Sequence, residues 1–168
     1  MAGDRRELRP ETMASPGGHY SHAVVGAGLV FVAGQLPIAP DGSRLNEASF
    51  EAQATQTLAN VAAALRAAGS GIAQLVQVRV YLTDIDDWPA FNTLYAGWAG
   101  DARPARAVVP VPILHHGFRL EIEAVAVAGV GRRAVRNSGQ RAAAEAAAAG
   151  ASGSMPMVST DPPSAHSL

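Results

Sequence analysis

Val76-Gln-Val-Arg-Val-Tyr-Leu82 is the stretch on which the fold turns. Val76, Val78, Val80 and Leu82 alternate with Gln77, Arg79 and Tyr81, the period-two pattern of a strand with one face buried. Upstream, Phe50, Ala54, Leu58, Val61, Leu65 and Ala68 recur at steps of four and three, which predicts a helix over 50–68 with one apolar stripe. Ser49 is its expected N-cap, Glu51 lies in its first turn and Gly69 is its expected stop. The stripe needs an apolar sheet face, and the 76–82 strand supplies one. Downstream, Phe91, Leu94, Tyr95 and Trp98 have the spacing of a second helix. Asp86 and Asp87 are read as its cap region, Pro89 fits its first turn and Gly100 ends it.

The flanks complete the order. Val24-Val25 and Leu29 to Ala33 bracket Gly26-Ala27-Gly28, the signature of a hairpin. Ala107–Val111 is read as a strand. So is Arg119–Val127, where Leu120, Ile122, Ala124 and Ala126 share one face and Glu121, Glu123, Val125 and Val127 the other. The expected class is α+β, a β-β-α-β-α-β-β sandwich with two helices on one face of a mixed sheet. The other face mixes charge with Val, which on a small domain invites burial against another subunit.

Composition agrees with one packed domain. The chain has 168 residues, 48% hydrophobic and 16% charged, with only 5% aromatics, so Ala, Val, Leu and Ile build the core. Net charge is -1, which gives no general argument for nucleic acid or an anionic membrane as partner. There is no Cys, so disulfides, thiolate metal sites and a cysteine nucleophile are excluded. All 13 basic residues are Arg, so chemistry that requires a lysine is excluded too. No secretory pattern and no apolar run of membrane-spanning length occur, and a cytoplasmic location is expected. Three segments are read: a loose N-terminal arm over 1–15, a domain over 16–130 and a disordered Ala/Gly/Ser/Pro-rich tail over 131–168. The tail holds no Phe, Trp, Tyr or Ile.

Two features carry chemistry. Arg106 follows the Pro-led turn Arg103-Pro-Ala-Arg106, and its guanidinium suits fork-to-fork recognition of a carboxylate. Glu121 and Glu123 place two carboxylates on the non-core face of an otherwise apolar strand. A surface arginine and an exposed or interface-paired strand face would explain each of these alone.

The ordered series of short motifs is more specific. Gly18-His-Tyr-Ser-His-Ala23, Phe31-Val-Ala-Gly-Gln-Leu-Pro37, Val80-Tyr-Leu-Thr-Asp84, Phe91-Asn-Thr-Leu-Tyr95, Arg103-Pro-Ala-Arg106 and Leu120-Glu-Ile-Glu-Ala124 occur in that sequence. Over about residues 17–128 the chain resembles the reactive intermediate deaminase (Rid, YjgF) family. The resemblance implies a Rid/chorismate-mutase-like sandwich assembled as a trimeric barrel, with pockets between subunits. It implies hydrolysis of 2-imino acids and their enamine tautomers to 2-keto acids and ammonia, without metal or organic cofactor. It also implies roles: Arg106 for clamping the substrate carboxylate and Glu121 for activating water. Tyr20 would stand at the pocket wall, Gly34 where backbone approaches substrate, and Asn92 on a supporting helix. Such chemistry suits a protonated imine, which is already electrophilic and needs mainly fixing in place and a positioned water.

His19, His22, Ala33 and Val108 depart from the family's usual residues; the polar groups lost at Ala33 and Val108 leave a drier pocket, which bears on substrate preference. His19/His22 and His115/His116 lack the spacing of metal ligands, so no metal site is expected. Gly26-Ala27-Gly28 is too short for a dinucleotide fingerprint, and Asp84, Asp86 and Asp87 are read as capping residues. Two alternatives stay open. One is a trimeric binder that holds small carboxylates on Arg106 without turnover. The other is a ribonuclease, an older label of the family, for which the core offers no basic stripe.

Overall fold

The computed structural model describes residues 5–129. Among these residues six strands and two helices follow in the order β1 (Arg6–Leu8), β2 (Ala23–Gly26), β3 (Leu29–Gln35), α1 (Phe50–Ala67), β4 (Leu75–Leu82), α2 (Trp88–Ala99), β5 (Ala105–Pro110) and β6 (Leu120–Val127). They form one sheet in the order β1-β2-β3-β6-β4-β5. Only β4 and β5 pair in parallel, which α2 makes possible by crossing between them. The fold is therefore the expected α+β arrangement with a mixed sheet.

The helical stripe is buried as read: Phe50, Ala54, Leu58, Val61, Leu65 and Ala68 all lie in the core. Ser49 Oγ accepts from Ala52 N at 3.3 Å, and Gly69 ends α1 at φ +74° while Ser70 N donates to Leu65 O at 2.9 Å. Gln53 is buried and fully used. Its Nε2 donates to Asn46 O and Ala48 O, and Arg119 N donates to its Oε1. That pattern removes the desolvation penalty of a buried amide and ties α1 to the start of β6. Leu120, Ile122, Ala124 and Ala126 meet Val78, Val80 and Leu82 beneath α1, as the alternation requires.

Four readings need correction. Val76 faces out, because β4 carries a one-residue bulge against β6 between Leu75 and Gln77; Leu75 takes the inward place instead. Asp87 does not cap α2; its Oδ1 accepts from Arg119 Nη2 at 2.6 Å. The strand read from Ala107 begins two residues earlier, at Ala105. The segment read as a loose arm contains β1, whose pairing with the edge of β2 satisfies its backbone, and Met13 is buried. The tail read over 131–168 lies outside the described residues. No helix among the described residues is long and apolar enough to cross a membrane.

The sheet face away from the helices carries Phe31, Val109 and Val127, each more than a third exposed. Between them Arg79 Nη1 pairs with Glu123 Oε1 at 2.7 Å, and Tyr81 OH donates to the same oxygen at 3.2 Å. Glu123 is thus an ion-pair partner, while Glu121, two residues before it, has no ion pair among the described residues.

Candidate active site

Glu121 owes its position to strand parity and to a bulge. Leu120 and Ile122 point into the core, so Glu121 points to the opposite face. Beside it, β3 advances three residues, Val32 to Gln35, while β6 advances two, Ala124 to Ile122. The extra residue brings the Gly34 backbone under the Glu121 side chain. A Cβ at Gly34 would overlap Glu121 Oε1 and stand 2.8 Å from its carboxyl carbon. Gly34 is therefore required by Glu121 itself, a closer reason than the substrate approach implied by the resemblance.

A cavity of about 1000 Å³ opens beside this carboxylate, lined among others by Tyr20, His22, Gly34, Arg44, His115 and Glu121. Glu121 accepts no hydrogen bond from the described residues. Burial pushes its carboxyl above the usual range, the negative charge of Glu123 adds to this, and His115 works against it. A half-buried carboxylate with free lone pairs beside an open cavity is suited to take a proton from water.

The walls are held by backbone carbonyls. Asn60 Nδ2 donates to Leu36 O and Ile38 O, both at 2.9 Å, fixing the segment after β3. His22 is buried and its Nε2 donates to Ala14 O at 2.8 Å; a carbonyl can only accept, so Nε2 carries the proton. Tyr20 meets the His22 ring edge-on at 6.3 Å. His116 sits in a left-handed turn at φ 59°, and its imidazole is held below the usual range by desolvation and by the charges of Arg44 and His115.

Arg106 lies elsewhere. In the parallel ladder it pairs with Val78, a core residue, so its side chain is on the helix side of the sheet. Its Nη2 donates to Asn92 Oδ1 at 2.8 Å, and the guanidinium carbon stands 4.6 Å from the centre of the Tyr95 ring. Asn92 and Tyr95 are three apart on α2 and face the same strand. The structure thus gathers Tyr20, Gly34 and Glu121 at one cavity, and Arg106 and Asn92 at another place across the sheet. It does not bring Arg106 and Glu121 together within one chain.

Sequence reasoning missed three contributors. Tyr95 was read only as a core residue, and its spacing gives no hint of the stack on Arg106. Asn60 interrupts the apolar helix with a polar side chain, a signal that was available. His115 lines the cavity from a turn that has no regular pattern to read.

Comparison with known proteins identifies the family. The family described as Endoribonuclease L-PSP matches residues 11–128. The chain is 42% identical to the RutC family protein y4sK of Sinorhizobium fredii over 116 residues, 68% of this chain and 92% of that protein. It is 38% identical to the 2-iminobutanoate/2-iminopropanoate deaminase of Capra hircus over 112 residues, 67% of this chain and 82% of that protein. The crystal structure of E. coli TdcF with bound serine superposes with a TM-score of 0.68 at 30% identity, covering 73% of this chain and 98% of that one. With a family model matched over residues 11–128 and relatives well above 30% identity, the chain belongs to the Endoribonuclease L-PSP family, that of the Rid and YjgF proteins.

Proposed function

We propose that the protein hydrolyses 2-imino acids to 2-keto acids and ammonia, acting as a homotrimer with the site shared between subunits. The observation that carries this reading is Glu121, without a pairing partner among the described residues and seated against Gly34 at the cavity, with its carboxyl shifted upward by burial. The deaminase name of the Capra hircus relative supports the reaction.

Assembly follows from the division of the site. Arg106 and Glu121 stand on opposite faces of one sheet, so a single small substrate can touch both only if another copy supplies one of them. β5 is an edge strand, which puts Arg106 at the rim, and the uncovered face with Phe31 and Val127 offers a surface for packing.

In the reaction, Arg106 of the partner subunit holds the α-carboxylate and orients C2 of the iminium toward Glu121. Glu121 takes a proton from water as its oxygen bonds to C2, giving a carbinolamine. The same carboxyl returns the proton to nitrogen, the C–N bond breaks to release ammonia, and the C2 hydroxyl proton passes to Glu121 and on to the departing ammonia as the ketone forms. Iminium acid and water thus become keto acid and ammonium, with charge and atoms balanced. Neither step calls on a cofactor.

The test generates imines of alanine and 2-aminobutyrate with an amino-acid oxidase in the presence of semicarbazide. We expect faster keto-acid release and less trapped imine when the protein is added, and a solution mass about three times 17.2 kDa by light scattering. Unchanged trapping with every imine would leave the protein a carboxylate binder without turnover.

A further inference from the structure

The carboxylate clamp has an apolar neighbour. Arg106 and Val108 are two apart on β5 and both face the helix side of the sheet, since they pair with Val78 and Val80. On α2, Asn92 touches Arg106, and one turn before it lie Trp88 and Pro89. Strand and helix therefore step together, from Arg106 and Asn92 to Val108, Trp88 and Pro89. At this second step a shallow, open hollow of about 380 Å³ lies, lined by Val108, Trp88 and Pro89 together with Ile85. Ile85 is 50% exposed and Trp88 41%, so neither is committed to the core. Asp86 is among the residues that line the hollow, and it is an acidic one.

We infer that this hollow is a side-chain subsite, and that the protein prefers 2-imino acids with large, uncharged apolar side chains over small or acidic ones. The inference rests on the function proposed above, and on one substrate occupying both steps of the groove. Charge fixes which end goes where: the α-carboxylate needs the guanidinium, so the substituent on C2 is left for the Val108, Trp88 and Ile85 end. A branched or aromatic substituent there removes apolar surface from water on both partners. A second carboxylate would instead be brought next to Asp86 and desolvated against Trp88 and Val108, which is unfavourable.

Keto acids are inert products that carry the same carboxylate and side chain, so binding can be read apart from turnover. Calorimetric titration of the full chain with pyruvate, 4-methyl-2-oxopentanoate and oxaloacetate should rank the branched acid tightest and oxaloacetate weakest. The preference of the branched acid over pyruvate should be roughly ten- to two-hundredfold, the range for apolar discrimination in a pocket. Trp88→Ala and Val108→Ser should each shrink that ratio severalfold, and Asp86→Asn should narrow the gap between oxaloacetate and pyruvate. The same ratios should appear in kcat/KM for the imines of leucine, alanine and aspartate. Equal binding of the three acids, or a preference that both Trp88→Ala and Val108→Ser leave in place, would overturn the subsite. Preferential binding without turnover of any imine would instead remove the deaminase reading and keep the subsite.

Discussion

Gly34→Ala is the most informative single change, because it separates two reasons for a glycine. The backbone of Gly34 is not in the left-handed region, so a methyl group brings no conformational strain there. The closest conflict is with Glu121: the added carbon would overlap Oε1 and lie 2.8 Å from Cδ and 3.3 Å from Cγ. Ordinary carbon contacts begin at about 3.5 Å, so the carboxylate must withdraw by roughly an ångström. The moving group is the free end of a flexible side chain without a hydrogen-bond partner. An off-rotamer adjustment of that kind costs about 0.5–1.5 kcal/mol, so the melting temperature should drop by only a few degrees. Catalysis should respond far more strongly, because misplacing a reacting group by about 1 Å lowers rate on the order of a hundredfold. The loss should appear in kcat, with keto-acid binding close to that of the parent. Glu121→Asp shortens the side chain by one methylene, so in the Gly34→Ala background it should recover part of the lost stability, a coupling that a double-mutant cycle measures. A Gly34→Ala protein with normal kcat and weakened keto-acid binding would refute this reasoning, and would show that the glycine makes room for substrate instead.

Arg106→Ala leaves a substrate carboxylate without its partner, which costs on the order of 2–5 kcal/mol, so kcat/KM should fall roughly 30-fold to several thousandfold. Arg106→Lys should restore little, since an ammonium cannot form the paired bonds; recovery to near-normal rates would remove the fork from the argument. For Glu121, the raised carboxyl means the folded state binds its proton more tightly than the unfolded chain does. Stability linked to this group is therefore greatest at low pH and falls as pH rises from the ordinary carboxyl value through the higher folded one. Glu121→Gln should accordingly melt higher than the parent at pH 8 but not at pH 4, while losing turnover at both. The parent's kcat/KM should show an acid limb above the ordinary glutamate range, read from a pH–rate profile. A chain ending at Val130 should keep the melting temperature and activity of the full chain, because the residues beyond it hold no aromatic or Ile side chain to dock. A drop of many degrees would show otherwise.

Where a pattern is repeated over several residues, the sequence was sufficient. The stripe of α1 and the alternation of β6 each have six or four matching positions, and every one lies in the core. Short or irregular segments escaped. β1 has three residues, Arg6–Leu8, too few for a repeating pattern, with only Leu8 packed against the core; its backbone pairs with the edge of β2, which no side-chain pattern records. Val76 extends the alternation of β4 in sequence, yet the bulge turns it outward, and Leu75 compensates from the other side of the count. Bulges of this kind come from register between strands far apart in the chain, and the one in β3 is the device that brings Gly34 under Glu121.

The division of the site shows the same limit at the level of function. The face of Glu121 could be read from sequence, because Leu120, Ile122 and Ala124 fix the parity of β6. The face of Arg106 could not. Ala105-Arg-Ala-Val-Val-Pro110 offers small or apolar residues on both sides, and β5 is an edge strand whose orientation is set by its parallel pairing with Val78 and Val80. Once that pairing is known, Arg106 and Glu121 fall on opposite faces, and the roles suggested by their chemistry cannot be exercised within one chain. Assembly and mechanism therefore become one question. A monomer that retained turnover at high dilution would require some other cation to hold the carboxylate beside Glu121, and Arg44 lines that cavity. Loss of activity in parallel with dissociation, and its return when an Arg106→Ala chain is mixed with a Glu121→Gln chain, would place the two residues in one site across a subunit boundary.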